Sequence, residues 1–190
     1  MNFRVLIGVG AIGCLAALPS QAAVTVLGNN TLAQSCYQAA EFGGDPAPGI
    51  ETCTFAVQNE PLSAVDKAAT YVNRGILRSR SGNPQGALDD YNLGLSIDGD
   101  LGEGYVDRGA TYIVLQRYDD ALADINKGID MGAHRPQIAY YDRAIVHEAM
   151  GDVRAAYQDY KKAVELAPDF TLATEQLTRF KVVRKPSDGT

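Results

Sequence analysis

The chain has 190 residues, 46% hydrophobic and 21% charged, the composition of a globular protein with room for one ordinary domain. Its formal net charge is −6 and no Lys/Arg cluster stands out. Nucleic acid is therefore not an expected partner, since phosphate binding needs a concentrated basic surface, and an anionic membrane surface is disfavoured for the same reason.

The N-terminus has the order of a secretory signal. Arg4 supplies a positive start, residues 5–18 are an apolar run, and Ser20-Gln21-Ala22 puts small residues one and three places before a cut after Ala22. The apolar run is too short to span a bilayer comfortably. Residues 1–22 are therefore set apart from the fold, and an exported, periplasmic chain starting near Ala23 or Val24 is expected. It would lose Arg4 and no acid, becoming one charge more negative. Ala11-Ile12-Gly13-Cys14 resembles the lipid-attachment box of bacterial lipoproteins. The apolar run continues past Cys14, however, and the Ser-x-Ala cut lies downstream, so membrane anchoring is not expected. Two cysteines remain, Cys36 and Cys53, and an even count in an exported chain makes a disulfide the default.

Residues 23–67 read as an N-terminal helical unit, with a helix over 31–42, a Gly/Pro-rich turn over 43–49 and a second helix over 50–58. Residues 62–67 extend the following helix backward. Three segments then repeat at spacings of 34 and 35 residues: Tyr71-Val72-Asn73-Arg74-Gly75, Tyr105-Val106-Asp107-Arg108-Gly109 and Tyr140-Tyr141-Asp142-Arg143-Ala144. Each is followed in register by an Ala, an Asp and a small residue: Ala87, Asp90 and Gly94; Ala121, Asp124 and Gly128; Ala156, Asp159 and Ala163. The units are framed as 68–101, 102–136 and 137–170, each with a helix A carrying the Tyr and Arg-Gly/Ala signature and a helix B carrying the second. A period of this length with two helices per unit marks a stacked helical array. Gly75, Gly109 and Ala144, opposite Ala87, Ala121 and Ala156, allow close crossing of the two helices. Leu172, Leu177 and Phe180 predict an amphipathic capping helix over 171–184, and residues 185–190 are expected to be a disordered tail.

This pattern resembles the tetratricopeptide repeat family. The third copy matches best, with Ala144, Gly151, Ala156, Tyr160, Ala163 and Pro168 at the family's positions, whereas the first two have Gly94 and Gly128 where Ala is usual and lack the closing Pro. The resemblance covers residues 68–170. It implies an all-α, right-handed helical-hairpin solenoid of about three repeats, with a degenerate N-terminal helical pair and a C-terminal capping helix. Aligned on that register, Cys36 takes the place of Arg143 and Cys53 that of Tyr160. Their separation equals that of Arg74/Tyr91, Arg108/Ile125 and Arg143/Tyr160, so a cross-helix Cys36–Cys53 disulfide follows.

Nothing in the sequence suggests an enzyme. His134 falls in a loop and His147 on a helix, neither with a cysteine or carboxylate at metal-ligand spacing, and no phosphate loop or nucleophile elbow is present. No catalytic residue, metal or cofactor is expected. Arg74, Arg108 and Arg143 recur with Asp90, Asp124 and Asp159, a matched register that favours structural ion pairs, inside one repeat or across the next junction, over an anion-binding ladder. The resemblance implies that helices A line a concave binding face. Its inward positions fall on Val72, Asn73 and Ile76, on Val106, Asp107, Ala110 and Ile113, and on Tyr141, Asp142, Ile145 and Glu148. Asn73 matches the asparagine with which chaperone-binding members clamp a C-terminal carboxylate. Asp107 and Asp142 would repel one. The expected function is binding of another protein or peptide with apolar anchors and some Lys/Arg, with a permanent place in a cell-envelope complex as the alternative.

Overall fold

The computed structural model describes residues 3–7, 22–26 and 31–184. The chain divides into two compact units, residues 20–135 and residues 1–19 with 136–190.

The first unit holds three antiparallel helical pairs. Helix α1 (Leu32–Phe42) buries Ala33, Cys36 and Ala40, and α2 (Pro46–Asn59) buries Gly49, Cys53 and Ala56, one helical face each. The Gly/Pro-rich segment read as a turn to residue 49 is helix from Pro46 onward. Asp45 caps it by accepting from Ala47 N–H, and prolines in a first turn remove only N–H groups that have no helical partner there. Helix α1 is held at its start by Glu60, whose carboxylate accepts the N–H groups of Leu32 and Ala33. Cys36 and Cys53 form the expected disulfide between the two helices.

Helices α3 (Ala64–Arg80) and α4 (Pro84–Ile97) form the second pair, and α5 (Gly102–Val114) and α6 (Tyr118–Asp130) the third. Ser63 caps α3 by accepting from Asp66 N–H and donates its hydroxyl to the Asp66 carboxylate, so the backward extension of this helix begins at Ala64 and not at Leu62. Glycines in α4 and α6 sit where helices touch most closely. A Cβ on Gly94 would lie 2.9 Å from the Ala68 carbonyl oxygen, and one on Gly128 2.5 Å from Val106 Cγ2 and 2.8 Å from the Gly102 carbonyl. Gly75 and Gly109 are met most closely by side chains one turn beyond Ala87 and Ala121: a Cβ there would lie 2.7 Å from the ring of Tyr91 and from Ile125 respectively.

The second unit contains α7 (Pro136–Ala149), α8 (Val153–Leu166), α9 (Thr171–Leu177) and an antiparallel pair of strands, β1 (Phe3–Ile7) and β2 (Phe180–Arg184). Phe3 is paired with Arg184 and Ile7 with Phe180. Two expectations change here. The capping helix stops after Leu177, because the β-branched Val182-Val183 segment finds a strand partner that satisfies its main chain. Residues 3–7, set apart from the fold on the sequence reading, supply that partner. Phe180 still serves the core, packing on the rings of Tyr157 and Tyr160 at 5.7 and 5.9 Å. Residues 8–21, most of the expected signal, and the expected tail 185–190 lie outside the described residues.

The A-to-B turn is the same in all three repeats. Gly82, Gln116 and Gly151 occupy one position with φ of 80°, 58° and 84°. Around it the N–H groups of Asn83, Arg117 and Asp152 donate to the carbonyls of Arg78, Tyr112 and His147, and those of Gly82, Gln116 and Gly151 to Ser79, Ile113 and Glu148. This double closure satisfies carbonyls at the helix end and requires a left-handed residue.

Candidate functional site

The recurring arginines are internal ties. Arg74 grips Asp90 with Nε at 2.9 Å and Nη2 at 2.7 Å, Arg108 grips Asp124 at 2.6 and 2.9 Å, and Arg143 grips Asp159 at 2.8 Å through both nitrogens. Arg74 also donates to Thr54 Oγ1 and Arg108 to Asn92 Oδ1, each on the preceding helical pair. Each guanidinium lies over the tyrosine three residues before it, Tyr71, Tyr105 and Tyr140, at 5.1–5.4 Å. A fork with its donors committed to a carboxylate, a neighbouring pair and a ring face has little left for a ligand.

The inward positions are mostly closed to solvent. In the first unit Val72, Asn73, Ile76, Val106, Asp107, Ala110 and Ile113 are all buried. The reason for burial at Asn73 lies in a segment that received no role beyond starting the mature chain. Residues 22–26 run without regular secondary structure, buried at Ala22, Val24 and Val26 and more exposed at Ala23 and Thr25. That period of two is that of an extended chain with one face against the protein. Val24 N–H donates to Asn73 Oδ1 at 2.8 Å, and Asn73 Nδ2 donates back to the Val24 carbonyl at 2.8 Å. The side-chain amide thus pairs with both main-chain groups of one residue, as a neighbouring strand would. Val24 and Val26 join one apolar cluster with Ala33, Cys36, Val72 and Ile76, and Tyr112 and Leu115 pack on it. The alternation Val24-Thr25-Val26 was the available sequence signal for such an extended segment.

Asp107 lies within electrostatic reach of Arg80, whose guanidinium also donates to the Ala40 carbonyl. It is an interior group, not an acidic fringe. In the second unit Asp142 is 1% exposed, its Oδ1 has no hydrogen-bond partner among the described residues, and burial pushes its carboxyl well above the ordinary range. Tyr141, 2% exposed, stands edge-on to Tyr160 and Phe170 at 5.5 and 5.3 Å, as a core side chain does. Ile145 is half-buried against the same cluster. Glu148, also half-buried, accepts from the Tyr160 hydroxyl at 3.0 Å and pairs with Arg179. Among the described residues no three His, Cys, Asp or Glu side chains are placed to share a metal, and no helix is long and apolar enough to cross a membrane.

Residues 138–170 match the tetratricopeptide repeat family. The chain is 38% identical over 74 residues to DnaJ homolog subfamily C member 3 of Bos taurus, covering 39% of this chain and 14% of that protein. It is 27% identical over 106 residues to a DnaJ homolog subfamily C member 7 homolog of Schizosaccharomyces pombe, covering 56% and 20%. This chain therefore spans a fifth or less of the length of these curated relatives. Among solved structures, the first tetratricopeptide domain of Spaghetti (RPAP3), bound to the HSP90 peptide SRMEEVD, superposes with a TM-score of 0.57 at 24% identity, over 60% of this chain and 92% of that one. MamA superposes with a TM-score of 0.59 at 19% identity, over 76% and 80%. At these identities the structural likeness speaks for the fold.

Proposed function

We propose that this chain, which carries the tetratricopeptide repeat, is a non-enzymatic module that binds an extended segment of another protein on the inward faces of helices α3 and α5 in its first unit. The observation that carries the reading is the Asn73–Val24 pairing: an inward side chain already holds both main-chain groups of one residue of an extended peptide. Spaghetti (RPAP3) holding an HSP90 peptide on the same fold supports it by likeness. Partner anchors would be apolar, to match Val72, Ile76 and their neighbours. Basic residues on the partner would answer the net charge of −6 rather than Asp107 and Asp142, which are buried. The charged start, apolar run and Ser-Gln-Ala cut favour export to the periplasm.

A permanent place in an envelope assembly is the second reading. It would be supported by apolar surface on the disulfide-linked pair, where Phe42 and Phe55 are 80% and 56% exposed and offer anchors to a permanent neighbour. Crosslinking in the envelope followed by pull-down and mass spectrometry tests both. A partner retained only by crosslinking or at low salt fits the exchangeable peptide reading. One that co-purifies through high salt, and is lost with Phe42→Ser and Phe55→Ser, fits the assembly. No crosslinked protein in either condition would overturn the two together.

A further inference from the structure

We infer that residues 22–26 are a resident stand-in for the ligand, and that the face of α3 bearing Asn73 accepts in their place an extended peptide of another protein with small or β-branched apolar residues at alternate positions. This rests on the peptide-binding reading and names the kind of segment it would take. Three features of the seated segment define the occupant. Its main chain is read by Asn73 at a single residue, which supplies affinity independent of side chain. Its buried residues, Ala22, Val24 and Val26, are small or β-branched, so the sites beneath them suit nothing as long as Leu or as wide as Phe. Its intervening Thr25 is exposed, so polar residues are admitted there.

The segment is built to be displaced. Among the described residues it makes no ladder with another strand, and its two hydrogen bonds to Asn73 are ones that any peptide backbone can replace. A cut after Ala22 would remove the first of the three buried residues and leave only Val24 and Val26 to hold the segment by apolar burial. Loss of that anchor weakens the seat and hands the face to a partner. Leader removal would thus open the face in the compartment where the partner is met.

The probe is a labelled, end-capped peptide Ala-Ala-Val-Thr-Val, followed by anisotropy on the full chain. Val24→Pro removes the N–H that Asn73 accepts and unseats the segment. This variant should bind the probe at least tenfold more tightly than the unsubstituted chain. Adding Asn73→Ala should return the affinity at least tenfold, and a probe with Asp in place of its central Val should not bind. Equal affinity for both chains, indifference to Asn73→Ala, or no binding overturns the inference. So does a concentration-dependent dimer that has exchanged its segments between copies.

Should Val24→Pro fail to fold by circular dichroism, amide exchange in the unsubstituted chain decides. Val24 N–H exchanging at least 100-fold faster than the core amides of α3, and faster still with probe present, supports displacement. Exchange only on global unfolding makes the segment fixed core and overturns it. A crosslinked partner that the probe does not compete away sinks this inference alone. Probe binding without any crosslinked partner retires the general reading and leaves this site standing.

Discussion

At the scale of single residues, the arginine pairs and Asp142 carry opposite burdens. Arg108 and Asp124 share two short hydrogen bonds at a half-closed position, so Arg108→Ala strands a carboxylate and Asn92 together. The expected loss is about 3 kcal/mol of stability in denaturant melts, with binding per folded molecule unchanged. A variant that melts like the parent but loses its ligand would make the arginine a contact residue after all. Asp142 is the reverse case. Burial raises its carboxyl well above 3.8, so between that value and its folded pKa the folded state holds a proton that the unfolded state has released. Stability from this group is therefore whole below about pH 4 and falls as pH rises through the folded pKa. Asp142→Asn should melt higher than the parent at pH 7 and lack that part of the decline. Tyr141 was legible as an inward position but not as core. Only the rings of Tyr160 and Phe170 beside it decide that, and Tyr141→Ala should cost about 3–5 kcal/mol of stability, with no selective loss of binding.

Elements show where the repeat period tolerates variation and where it does not. The turn between helices A and B needs a left-handed residue, and the second repeat meets the need with Gln116 where the others use glycine. A side chain in that conformation costs roughly 1 kcal/mol or more, partly offset by the extra freedom glycine brings to the unfolded chain. Gln116→Gly should therefore raise the melting temperature modestly, while Gly82→Ala should lower it. Gly94 and Gly128 looked like departures from the family's alanine. They are accommodations to closer contact, since a methyl on Gly128 would enter both Val106 and the Gly102 carbonyl. Gly128→Ala is expected to destabilise by about 1–3 kcal/mol in the same melts, against the helix propensity it gains. Helix positions were readable because capping residues and apolar spacing are local. The ends of α2 and α9 were misread because a proline-rich first turn looks like a loop, and because Phe180–Arg184 is strand only when Phe3–Ile7 lies beside it.

For the molecule as a whole, the disulfide is the clearest consequence of register. Cys36 and Cys53 lie 17 residues apart on facing helices, and their bond closes a loop that should contribute on the order of 3 kcal/mol by restricting the unfolded chain. Thiol labelling of the unfolded, unreduced protein should find neither cysteine reactive, and labelling at both would reject the pairing. The sequence by itself determined the period, the helical pairs, the match of one arginine to one aspartate per repeat and this disulfide, because a repeat places equivalent residues at equivalent contacts and three copies can be checked against one another. That each arginine meets the aspartate of its own repeat was decided by the structure. Which inward residues meet solvent, where Val24 lies, what β2 pairs with and how far Asp142 is desolvated were decided only by tertiary structure. The seat of Val24 and the pairing of β2 involve segments that belong to no repeat, met by residues distant in the chain, and periodicity holds no information about such contacts or about how closely the packing around Asp142 excludes water.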